Sequence, residues 1–101
     1  MTSGIFNGTP VNQFEGDLDI GDFVSATATC PAATPVLLGG GYRLTRGAGV
    51  PANSLRELTP TASYPSSTGT WTAEYLVGGN LGNDSGPTDV VTLTAYAVCS
   101  A

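Results

Sequence analysis

Residues 89–99 read Asp89-Val90-Val91-Thr92-Leu93-Thr94-Ala95-Tyr96-Ala97-Val98-Cys99. Successive side chains of an extended chain point to opposite faces, so this stretch has two distinct sides. Val91, Leu93, Ala95, Ala97 and Cys99 share one; Val90, Thr92, Thr94, Tyr96 and Val98 share the other. The first set is small and apolar, as a core face requires. Residues 23–30 repeat the pattern, with Val24, Ala26, Ala28 and Cys30 alternating with Ser25, Thr27 and Thr29. In both segments the cysteine has the parity of the core residues, so both sulfurs are expected to point inward.

The two cysteines lie 69 positions apart, which excludes a CxxC redox or zinc motif. The parity argument favours a disulfide between Cys30 and Cys99; two buried free thiols are the alternative. A bridge closing so long a loop would stabilise by about 4 kcal/mol through loss of chain entropy in the unfolded state.

Working outward, residues 70–77 form a further strand with Trp71, Ala73, Tyr75 and Val77 on one face. Two more are expected over residues 36–45 and 55–64, and the leader is expected to end in a short strand at residues 18–20. Turn-rich stretches lie at residues 47–51, 65–69 and 78–87. Helical spacing of apolar residues is missing from every window; the sole candidate, residues 53–58, suits a single turn or a strand start. Short strands separated by turns predict an all-β fold, a small antiparallel β-sandwich of jelly-roll or Ig-like type. Residues 1–21 are rich in glycine and weakly periodic, and are expected to form an extended N-terminal arm before a sandwich domain over residues 22–101. Ile5, Phe6, Val11 and Phe14 make the arm too apolar for a solvated tail. They are its candidate protein-binding residues, docking on its own domain, a sister subunit or another protein.

The chain has 101 residues, enough for one domain and one core. Apolar residues make up 41%, which excludes a disordered chain. Only 11% are charged, so Thr, Ser and Asn must supply solubility, a composition suited to a surface packed against other protein. The net charge of −5, with Arg43, Arg46 and Arg56 as the only cationic side chains, argues against nucleic acid, which needs a basic patch, and against an anionic membrane. No apolar run is long enough to span a bilayer, and the first residues lack the features of a secretory signal.

Chemistry-bearing clusters are sparse. Without His or Lys, a Ser or Cys nucleophile lacks its usual base, and none of the eight carboxylates has a catalytic setting. No enzyme, no catalytic residue and no cofactor are expected. Glu15, Asp17, Asp19 and Asp22 alternate with Leu18 and Ile20, the pattern of a solvated strand face; an EF-hand's further ligands are missing, so no metal is expected. Gly39-Gly40-Gly41 has neither the Lys-Ser/Thr nor the helix of a phosphate loop and suits a bulge or bend. Tyr42, Tyr64, Trp71, Tyr75 and Tyr96 fit core and cross-strand packing better than a sugar-stacking platform. Asn7-Gly8-Thr9 and Asn83-Asp84-Ser85 match the glycosylation acceptor pattern, a weak motif.

Cys30-Pro31-Ala32, Gly39-Gly40-Gly41-Tyr42, Ser63-Tyr64-Pro65, Thr70-Trp71-Thr72 and Tyr96-Ala97-Val98-Cys99 together resemble a short β-rich module of bacterial and bacteriophage surface and virion proteins, often found behind collagen-like or fibre segments. The resemblance covers residues 24–101; Ala33 stands where that module commonly has Gly. It implies a sandwich with its cysteines bridged, displayed on an exterior surface, and no activity. A compact β domain behind a short arm then suggests a bacteriophage virion structural protein, a capsid decoration protein on the head exterior. Its partners would be the major capsid protein or another virion protein, and further copies of itself, a trimer among them. The alternative is a receptor- or carbohydrate-binding module of a phage fibre or bacterial surface protein, located extracellularly.

Overall fold

The computed structural model describes residues 3–50, 52–79 and 86–101. Seven strands and two short 3-10 turns account for its regular structure: β1 (Ser3–Asn7), β2 (Val11–Phe14), a turn at Glu15–Asp17, β3 (Phe23–Thr29), β4 (Val36–Arg46), a turn at Ala52–Glu57, β5 (Leu58–Ser67), β6 (Thr70–Val77) and β7 (Val90–Ser100). They form two antiparallel sheets packed face to face, an all-β sandwich.

The stretch around residues 89–99 is the spine of the first sheet. β4 pairs along one edge of β7 over nearly its whole length, from Val36 opposite Ser100 to Arg46 opposite Val91. The other edge is shared end to end by β1, opposite Tyr96 to Ser100, and β2, opposite Val90 to Leu93. The second sheet has the order β3-β6-β5. Its one tight hairpin joins β5 to β6 through Thr68-Gly69.

The core lies between the sheets. Val91, Leu93, Ala95, Ala97 and Cys99 of β7 face Val24, Ala26 and Ala28 of β3 and Ala73, Tyr75 and Val77 of β6. Many of these residues are alanine, so the larger Tyr75, Leu93 and Trp71 must fill the remaining space. Cys30, one residue beyond β3, is bonded to Cys99 with a Cα–Cα separation of 5.7 Å. The bridge pins the two sheets together at one end. The inward parity of both cysteines is the reason it can form.

The leading residues fold onto their own domain. β1 and β2 obey the strand period: Phe6 and Val11 lie opposite Ala97 and Leu93 and pack against the core, while Ile5 and Phe14 point outward. The register slips by one residue between Asn7 and Val11, where Gly8-Thr9-Pro10 bridges the two strands. Gly8 sits so close to the Thr27 carbonyl of β3 that a Cβ there would overlap it.

Three expectations about elements fail. Residues 65–67, expected in a turn-rich stretch, continue β5 as far as Ser67. Residues 18–20 are no strand: Asp19-Ile20-Gly21-Asp22 is a tight turn, with the Asp22 amide bonded to the Asp19 carbonyl and Gly21 at φ 97°. A left-handed residue at the third position needs glycine. Residues 55–57 belong to a 3-10 turn, and β5 begins at Leu58. Leu58, opposite Val77, is where the alternation meets the core.

Candidate protein-binding surface

The candidate surface is built on the side of β7 turned away from the core. Val98 has Ile5 of β1 as its cross-strand neighbour on one side. On the other side β4 carries a bulge, in which Leu38 is the additional residue between Leu37, opposite Cys99, and Gly39, opposite Val98. Val36 follows at the same end. Ile5 is 67% exposed, Leu38 60% and Val36 48%. Three strands thus bring together exposed aliphatic side chains that lie far apart in the chain. A soluble surface rarely leaves such side chains contiguous without a partner.

Charge separates sharply along the molecule. The overall extents are 47 × 23 × 18 Å. Strands of eleven residues such as β4 and β7 span about 36 Å at roughly 3.3 Å per residue, so the long dimension runs along them. Arg43 lies opposite Thr94 and Glu74 opposite Ser25, both near the middle of their sheets. Glu15, Asp17, Asp19, Asp22, Arg46, Arg56, Glu57 and Asp89 all lie in the half remote from the disulfide. Among the described residues, the half holding Cys30–Cys99 and the aliphatic patch has no charged side chain.

The glycine triplet lies inside β4 and makes close packing possible on both faces. A Cβ on Gly40 would overlap the indole of Trp71 from the opposite sheet. A Cβ on Gly41 would overlap the Tyr96 ring, which lies across β4 on the outer face. Gly39 has open space around its Cβ position. The Trp71 indole N–H donates to Ser63 Oγ at 2.9 Å, tying β6 to β5.

The outer face of the second sheet has a different chemistry. Ser25, Thr27 and Thr29 of β3 lie beside Glu74, Thr72 and Thr70 of β6. The Thr29 and Thr70 hydroxyls are 3.0 Å apart, and the Thr72 hydroxyl donates to Ser66 Oγ at 2.6 Å. Tyr64, 48% exposed, lies on this hydroxyl-covered face, and Phe23, 60% exposed, lies on it at the end of β3.

Other sequence candidates are dispersed. Tyr75 is buried, Trp71 is wedged between sheets, Tyr96 and Tyr64 lie on opposite outer faces, and Tyr42 sits at the β4 edge, so the aromatic residues form no common platform. The acidic cluster is not a solvated strand face. Glu15 is 2% exposed and starts a 3-10 turn, its amide donating to the Asp89 carbonyl at 2.9 Å. No three acidic or cysteine residues among those described are grouped as metal ligands would be. Asn7 is at the exposed end of β1, whereas Asn83-Asp84-Ser85 lies outside the described residues. Leu38 and Val36 escaped attention in the sequence because their exposure follows from a bulge and an edge position, which have no local signature.

Burial pushes the Tyr75 hydroxyl up to about 12 from its usual 10. Its hydroxyl has no hydrogen-bond partner, nor does Thr34 Oγ1.

Comparison with protein-family models, curated proteins and solved structures finds no match to this chain.

Proposed function

We propose that this chain is a non-catalytic structural protein of a bacteriophage virion, a decoration protein that coats the exterior of the capsid. One observation carries the reading: the uncharged half, with Ile5, Leu38 and Val36 exposed around Val98. A surface of that kind loses little on desolvation and gains from apolar contact, which suits permanent seating against a protein lattice. The opposite, acidic half would then face solvent and keep coated particles apart by like-charge repulsion.

Deleting residues 1–21 does not test this reading, because it removes two strands from β7. The informative variant is Ile5→Glu with Leu38→Glu. Both side chains are exposed, so folding stability should change by no more than about 0.5 kcal/mol per site. Mixed with capsids lacking the protein, the wild type should co-sediment with them and the double variant should bind at least about ten-fold more weakly. Equal binding by both, or no binding by the wild type, overturns the reading.

The hydroxyl-covered face around Tyr64 supports the second reading, a receptor- or carbohydrate-binding module. Glycan binding that disappears in Tyr64→Ala while capsids are ignored would favour it.

A further inference from the structure

Asn7-Gly8 is the one Asn-Gly pair of the chain, and it stands where β1 ends and the link to β2 begins. Packing demands the glycine: a Cβ at position 8 would overlap the Thr27 carbonyl of β3 and come within 3.1 Å of Ala28 Cα. Asn7 before it is exposed. The pair is chemically labile. With no Cβ on the following residue, the main chain is free to bring its nitrogen onto the asparagine side-chain carbonyl.

In that reaction the Gly8 nitrogen bonds to Asn7 Cγ. The bond from Cγ to the side-chain nitrogen breaks, and ammonia leaves with the proton of the Gly8 amide. Water then opens the cyclic imide at either carbonyl. One product is aspartate. In the other, isoaspartate, the main chain runs through Cγ and is one atom longer. Water is the sole co-reactant.

The fold restrains the nucleophile. The Gly8 N–H donates to the Ala95 carbonyl of β7 at 2.8 Å, while the residue is pressed against Thr27. Attack needs this hydrogen bond broken, so the end of β1 must first lift away. β1 has five residues and pairs with β7, and among its described residues Phe6 makes the contact with the core. An element with so few buried contacts opens at low cost.

We propose that Asn7 is a self-modification site gated by the docking of β1, and that its conversion to isoaspartate unpins that strand. Asn7 is held opposite Tyr96 and Gly8 beneath Thr27, so an added main-chain atom between them breaks the register of β1 on β7. The modification is a one-way timer on the strand that carries Ile5, whatever the aliphatic patch binds.

Fresh protein held at mildly alkaline pH, followed by peptide mapping and mass spectrometry, tests it. Position 7 should convert in the folded chain at least about ten-fold more slowly than in urea with reductant, because only the open fraction reacts. Phe6→Ala loosens β1 and should speed conversion, with circular dichroism checking that the sandwich persists. Asn7→Gln, whose larger ring closes far more slowly, should show none. The isoaspartate product should exchange the amide hydrogens of residues 4–7 faster than fresh protein, while those of β3 and β6 stay protected. Freshly prepared Asn7→Asp, which adds the charge but no chain atom, should keep β1 protected. Equal rates in the folded and denatured chain, no conversion in the folded chain while the β1 amides exchange, or unchanged β1 protection in the isoaspartate product overturns the proposal.

Discussion

At the residue scale, the core is made of small side chains whose spacing is set by a few critical positions. Tyr75 is 2% exposed with an unpartnered hydroxyl. A buried polar group without a partner costs about 1–3 kcal/mol. Tyr75→Phe should therefore be neutral to stabilising, by about 1 kcal/mol in denaturant unfolding at neutral pH. The pH dependence has a definite sign. The folded-state value of about 12 lies above the unfolded value near 10, so the folded chain holds this proton more tightly. The corresponding stability is intact below pH 10 and declines as pH rises towards 12. The Phe variant should lose less stability than the wild type over that window. The glycine triplet makes a second test. Gly40→Ala should cost about 1–3 kcal/mol by driving a methyl into Trp71, and Gly39→Ala should leave the melting temperature nearly unchanged.

At the element scale, β7 organises the molecule because it has neighbours on both edges and a fully buried face. Its alternation makes it legible in the sequence, as it does β3 and β6. β1 and β2 were less legible. Gly4, Gly8 and Pro10 interrupt their periodicity, and what makes them strands is the edge of β7, whose partner positions run from Asn7 opposite Tyr96 to Val11 opposite Leu93, close to the other end of the chain. β5 was half legible, since Pro60 and Pro65 argue against a strand yet are tolerated at an edge. The disulfide belongs to this scale as well, joining the ends of β3 and β7 across the sandwich. Replacing Cys30 and Cys99 by Ala, or reducing the bridge, should lower unfolding free energy by about 4 kcal/mol. Denaturation midpoints with and without reductant measure it. A loss below about 1 kcal/mol would show that β7, paired along both edges, constrains the chain already.

At the scale of the whole molecule, the main feature among the described residues is the confinement of charged side chains to the middle and one half of the 47 Å axis. Apolar exposure occurs at both ends, with Phe14, Ile20 and Phe23 exposed in the charged half and Ile5, Leu38 and Val36 in the uncharged one. The aliphatic patch has no charged side chain near it among the described residues, so the decoration-protein proposal predicts capsid binding that is nearly insensitive to ionic strength. Raising salt from about 0.1 to 1 M shortens the screening length from about 10 to 3 Å, a change that would strongly weaken a contact made by ion pairs. Capsid co-sedimentation across that range checks it.

The sequence by itself determined the all-β class, the identity of the core faces and the direction of both sulfurs, because the two-residue period of a strand is a local property. It also determined how few charges there are. Only the tertiary structure decided where those charges lie, that the leader completes a sheet, and that Ile5, Leu38 and Val36 share one surface. Those facts depend on register and strand order, which arise from contacts between distant segments and leave no periodic trace in the chain.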